Sequence, residues 1–156
     1  MVVIFLDFDG VITTAGSIAE AYRIRRAGEI PGTDWTRHQI DKELVGNVRT
    51  LQDHLGAKIV ISSTWRILDE LDVLREYLEE KGIDPSTIID VTPHRNDGSR
   101  GREIKDWLDE HPEVTSFKIL DDDSDVLDVP EFRKDWIHTN FAEGFNTRML
   151  NKAMGD

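Results

Sequence analysis

Asp7-Phe8-Asp9-Gly10-Val11 sets two carboxylates two residues apart directly after the apolar run Val2 to Leu6. In nearly extended chain they project from alternate residues, so both can face one cavity only if the backbone turns at Gly10. Two more polar clusters follow apolar runs: Ser62-Ser63-Thr64-Trp65-Arg66 after Lys58 to Ile61, and Asp121-Asp122-Asp123-Ser124-Asp125 after Phe117 to Leu120. Buried anions gathered in one place repel, and each is driven toward protonation unless a cation compensates. The chain has no cysteine, and its five histidines are scattered without ligand spacing. Carboxylate oxygens as the available donors suit Mg²⁺ better than zinc. Each cluster also has a plainer reading. Asp-x-Asp-Gly occurs as a simple turn, Ser62 to Thr64 can cap a helix, and Asp121 to Asp125 can be a solvated loop, though it lacks EF-hand spacing.

The flanking elements must bring these clusters together. Val2 to Leu6 is apolar throughout and β-branched at three of its five positions, as a strand buried on both faces requires. Ser17-Ile18-Ala19-Glu20 has capping-box spacing and Gly28 supplies a stop, which predicts a helix from Ser17 to Ala27 followed by a loop around Pro31 and Gly32. Ile40, Leu44, Val48, Leu51 and Leu55 recur at helical spacing before Gly56, and Lys58 to Ile61 reads as the next strand. A helix over Ile67, Leu71, Leu74 and Leu78 closed by Gly82, a strand Ile88 to Val91, and a polar loop His94 to Gly101 come next. A helix around Ile104, Trp107 and Leu108, strands Phe117 to Leu120 and Trp136 to His138, and a terminal helix capped by Asn146 complete the series. This alternation predicts an α/β fold: a three-layer, Rossmann-like parallel sheet with helices on both faces, in one domain over residues 1–156. Ligands of such sheets bind beyond the carboxyl ends of the strands, where all three polar clusters fall.

Those residues resemble the haloacid dehalogenase (HAD) superfamily. Asp7-Phe8-Asp9-Gly10-Val11 is similar to its DxDx(V/T) first motif, Ser62 to its second-motif Ser/Thr, and Asp121-Asp122 to its late acidic pair. The runs Ser62 to Arg66 and Arg100-Gly101-Arg102-Glu103-Ile104 further resemble small HAD domains, including ones found in RNA-repair proteins. The resemblance implies a phosphatase. Asp7 would attack phosphorus to form an aspartyl phosphate, and Asp9 would protonate the leaving oxygen and then activate water. Mg²⁺ would be held by the Asp7 carboxylate, the Asp9 main-chain carbonyl and Asp122, with Asp121 or Asp125 able to replace or assist the last. Ser62 and the following amide of Ser63 would bind a phosphoryl oxygen, with Gly10 and Arg66 also on the substrate. The family's third-motif cation falls on Arg100, with Arg102 and Lys105 as competitors.

The spacing leaves room for only a small lid, over about residues 14–39, and hence an open site with a minimal cap. That segment holds Arg23, Arg25, Arg26 and Arg37 against three acids, so it is +1 in a chain whose net charge is −12. Arg23, Arg25 and Arg26 are expected near the site entrance. Such an acidic total excludes a general grip on nucleic acid, which depends on Lys and Arg neutralising phosphates. The four tryptophans and the histidines are read as packing groups. Val2 to Leu6 is far below the roughly 20 residues of a membrane span and lacks the flanks of a secretory signal, so an intracellular, cytoplasmic protein is expected. The expected substrate is a nucleotide or a nucleic-acid phosphate end. A sugar phosphate, a phosphoprotein, or a noncatalytic phosphate-binding module are the alternatives, and no stable protein partner is expected.

Overall fold

The computed structural model describes residues 1–30 and 34–155. Five parallel strands, β1 (Val2–Leu6), β2 (Ala57–Ile61), β3 (Ile88–Val91), β4 (Ser116–Asp121) and β5 (Trp136–His138), form one sheet in the order β3-β2-β1-β4-β5. The apolar run of β1 is continuous because it is central and both its faces are covered. Ile4 and Leu6 join a core with α3 (Lys42–Leu55), α5 (Leu71–Glu80) and α7 (Thr147–Gly155), through residues such as Val48, Leu74 and Leu150. Val3 and Phe5 point the other way, into a core with Ile104 and Trp107 of α6 (Arg100–Asp109) and with Val126 and Phe132 of two 3₁₀ turns. Burial of such side chains at about 25 cal/mol per Å² is the main force holding the three layers together.

Register then aligns the site. Leu6 pairs with both Ile61 and Leu120, so Asp7, Ser62 and Asp121 follow on three neighbouring strands, about 4.8 Å apart laterally. The ladder continues one step past the strands: the Ser62 amide donates to the Leu6 carbonyl at 2.9 Å and the Asp7 amide to that of Leu120 at 3.1 Å.

Three expectations are corrected. The first helix, α1 (Ala15–Arg26), begins at Thr14, whose hydroxyl accepts from the Ser17 amide at 3.1 Å while Ser17 Oγ accepts from the Thr14 amide at 2.8 Å. Ser17 is thus the reciprocal partner of the capping pair, and Glu20 instead pairs with Arg23. The helix expected over Ile67 to Leu78 is two: α4 (Trp65–Leu68) ends at Asp69, which turns extended, and α5 starts afresh. Apolar spacing ran across that break, and Leu68 is left 89% exposed. The loop after Gly28 also contains a single helical turn, α2 (Trp35–His38), tied to α5 by the Arg37–Glu80 ion pair. Pro31 and Gly32 lie outside the described residues.

Candidate active site

Asp7 sits at the carboxyl end of β1, its Oδ1 accepting from the Phe8 amide at 2.8 Å. Carboxylate oxygens of Asp7, Asp121 and Asp122 lie within 4.8 Å of one another, and the first two residues are buried. Arg100 stands among them. Its Nη1 is 3.0 Å from Asp121 Oδ2 and 3.3 Å from Asp7 Oδ1, with 8% of the side chain exposed. Asp122 closes the group from above Gly10: a Cβ placed on Gly10 would lie 2.1 Å from Asp122 Oδ2, and the backbone there has φ +81°. Only glycine satisfies both constraints.

Burial pushes the Asp7 carboxyl up to about 6, against the pull of Arg100 and reinforced by Asp122. Burial likewise raises Asp121 well above the usual carboxylate range, with Asp7 adding to the effect, and raises Asp122. Burial works against the Arg100 charge, but Asp121 and Asp7 outweigh it and hold that guanidinium above its ordinary pKa. Three carboxylates and one guanidinium leave a formal charge of −2 when ionised. An all-oxygen donor set with that charge fits a hard divalent cation.

Asp9 is held apart from this group. Its Oδ1 accepts from Thr13 Oγ1 at 2.9 Å and its Oδ2 from Trp65 Nε1 at 3.2 Å, while Trp65 packs edge-on against the buried Phe8 ring. The turn that makes this possible has the Phe8 carbonyl accepting from the amides of Val11, Ile12 and Thr13. Reading Trp65 only as a packing group missed its indole donor, and nothing in the spacing singled out Thr13. The pair fixes a carboxylate two residues past Asp7 in a direction of its own.

The flanking strand β2 delivers Ser62, whose buried hydroxyl has no hydrogen-bond partner among the described residues. Ser63 Oγ accepts from the Trp65 amide at 3.2 Å, which starts α4. Arg66 is turned inward with its side chain 3% exposed, donating to the carbonyls of Ser63 at 2.6 Å and Thr92 at 2.8 Å and pairing with Glu103 at 3.0 Å. Glu103 Oε2 also accepts from the Arg95 amide at 2.9 Å. This buried acid therefore ties α6 to α4, through Arg66, and to the loop after β3, in one frame behind Arg100.

Of the three candidate cations, Arg100 is the one whose guanidinium reaches the acids. Arg102 pairs with Asp97 at 3.4 Å and Lys105 with Asp109 at 3.0 Å, both on the surface. Asp121 belongs to the carboxylate group, whereas Asp125 is exposed and its amide donates to Asp123 Oδ1. Arg23 pairs with Glu20, Arg25 lies over the Trp35 ring at 5.6 Å, and Arg26 over Tyr22 at 5.2 Å.

This acid constellation at the carboxyl rim of the sheet has a counterpart among known families. A family model described as the HAD domain in Swiss Army Knife RNA repair proteins matches residues 3–150. The chain belongs to this HAD family. No curated protein and no solved structure matches it. The match spans all five strands and all the site residues named above, and membership brings phosphohydrolase chemistry and metal dependence as the family's ordinary properties. No helix among the described residues of this HAD domain is long and apolar enough to cross a membrane.

Proposed function

We propose that this HAD domain is a Mg²⁺-dependent phosphatase that works through an aspartyl phosphate on Asp7, with a nucleotide or a nucleic-acid phosphate end as substrate. The observation that carries it is the separation of two kinds of carboxylate. Asp7, Asp121 and Asp122 crowd around one guanidinium, while Asp9 is anchored by Thr13 and Trp65 and borders an open cleft. A pure phosphate binder has no use for that second, separately oriented acid.

In the first half-reaction an Asp7 oxygen attacks phosphorus, the bond to the leaving oxygen breaks, and that oxygen takes a proton from Asp9. In the second, the Asp9 carboxylate accepts a proton from water as the water oxygen attacks phosphorus and the Asp7 carboxylate is released. Asp7, Asp122 and the Asp9 carbonyl, with Asp121 alongside, would hold Mg²⁺, which supplies neutralising charge to the phosphoryl group. Arg100 keeps Asp7 oriented and offsets the acid charge. The unpartnered Ser62 hydroxyl and the Ser63 amide would bind a phosphoryl oxygen, and Gly10 leaves room for Asp122 beside it. We assign Arg66 to fixing the Ser63 carbonyl and Glu103 rather than to touching substrate, because its donors are taken up by the protein.

The test is hydrolysis of p-nitrophenyl phosphate with Mg²⁺ or EDTA, by the wild type and Asp7→Asn, followed by a panel of 3′- and 5′-phosphorylated nucleotides and oligonucleotides, sugar phosphates and phosphopeptides. Turnover is expected to need Mg²⁺ and to drop by roughly 10³-fold or more in Asp7→Asn. Activity that survives Asp7→Asn overturns the nucleophile, and silence across the panel favours a binding module.

A further inference from the structure

A cleft of about 740 Å³ opens beside Asp9, within the roughly 300–1,000 Å³ range of small-molecule sites. Besides Asp9, its walls come from four places that only the fold brings together: Ile18 of α1, Thr36 and Gln39 in and just after α2, Trp65, Ile67 and Leu68 of α4 with their neighbours, and Phe141 after β5. Ile67, Leu68 and Phe141 are 51%, 89% and 41% exposed, and they are three of the five large hydrophobic side chains left exposed among the described residues. Isolated exposed apolar groups need no explanation, but clustering on one concavity marks a binding surface.

The charge of the walls narrows the occupant. Among the described residues the charged groups lining the cleft are Asp9 and Asp69, and no arginine or lysine lines it. Arg23 pairs with Glu20, Arg25 lies over Trp35 and Arg26 over Tyr22, and none of the three lines the cleft, so among the described residues its walls hold no cation that would neutralise a second phosphate. Asp9 is also the one acid of the site that lines this cleft, so the cleft lies on the side from which a leaving oxygen would be protonated.

We propose that this cleft is the leaving-group subsite, and that it takes the uncharged aromatic base of a nucleoside monophosphate while rejecting leaving groups that carry a further phosphate. The assignment rests on the phosphatase reading above and narrows its substrate class to mononucleotides. The aromatic and aliphatic walls of Trp65, Phe141, Ile67 and Leu68 supply the area a base would cover. Thr36, Gln39 and Asp69 supply the polar edge against which its ring nitrogens and amino groups would be read.

The experiment compares kcat/KM on adenosine 5′-monophosphate, ribose 5-phosphate and adenosine 3′,5′-bisphosphate with Mg²⁺. It is paired with calorimetric titration of Asp7→Asn with the monophosphate and with ribose 5-phosphate. The monophosphate should exceed ribose 5-phosphate by about 10-fold or more, carried by KM, since stacking a base is a binding contribution. The bisphosphate should be the poorer nucleotide. Leu68→Ser, at a solvent-facing position that costs the fold little, should cut the preference for the monophosphate over ribose 5-phosphate several-fold, and Leu68→Lys should narrow the gap to the bisphosphate. Equal kcat/KM for the monophosphate and ribose 5-phosphate overturns the subsite while leaving the phosphatase intact. If no ester turns over, the phosphatase reading fails, and equal affinities in the titration then overturn the subsite on its own. A concentration-dependent dimer abolished by Leu68→Ser would mean that a second copy covers this face, which also overturns it.

Discussion

Gly10 shows how one side chain, or its lack, decides the geometry of the site. Two independent restrictions meet there: a positive φ that other residues adopt at a cost, and Asp122 Oδ2 only 2.1 Å from where a Cβ would be. Because Asp122 would have to swing away from Asp7, Gly10→Ala should lower kcat/KM by more than about 100-fold. It should destabilise the protein by about 2 kcal/mol, read by denaturant unfolding. A mild loss of stability with full activity would show that Asp122 need not stand where it does. Gly10 was legible in the sequence as the turn after two useful acids. Its second duty, leaving space for an acid 112 positions later, was not, because that contact is set by the packing of β4 beside β1.

Helix α6 is positioned by the absence of a side chain at Gly101. A Cβ there would meet the Val126 carbonyl oxygen at 2.5 Å and that of Asp125 at 2.8 Å, so the helix rides directly on the backbone of the turn that follows the acidic pair. Helix propensity alone favours Gly101→Ala by about 1 kcal/mol. Backbone atoms cannot yield as a flexible side chain would, so the clash should win. We expect net destabilisation of about 1–2 kcal/mol by thermal or denaturant unfolding, and about 10-fold lower kcat, as α6 moves off and takes Arg100 from Asp7 and Asp121. A stabilised, fully active variant would refute the close docking of α6. The helix was readable from Ile104 and Trp107, and Arg100 from its place near the helix start. Glu103 was read only as part of a family-like run, and its role as the buried partner of Arg66 came from distances between elements that spacing does not encode. Reading one helix across Asp69 failed for a related reason: period alone does not show where the backbone turns extended.

For the molecule as a whole, the buried acids couple the fold to pH and, on the function proposed above, to metal. Asp7 has its pKa raised from 3.8 to about 6, so the native state holds this proton more tightly than the unfolded chain. That contribution to stability is fully present below about 3.8 and is lost as pH rises through about 6. Asp121 and Asp122 act in the same direction, chiefly through burial. The proposed Mg²⁺ would bind the ionised carboxylates and so replace the lost protons. The rise in Tm on adding saturating Mg²⁺ in place of EDTA should be about 5 °C or more near pH 7.5 and should shrink toward pH 5, as differential scanning calorimetry would record. An equal rise at both pH values would mean that these acids are not the metal's ligands. By itself the sequence determined the strands, most of the helices and the acids that follow β1 and β4, because apolar periodicity and turn residues are local properties of the chain. Tertiary structure alone decided that Asp9 is aimed by Trp65, that Arg66 faces inward, and that Ile18, Leu68 and Phe141 share one cleft. Those relations depend on strand register and helix packing, which bring together residues whose separation along the chain carries no signal.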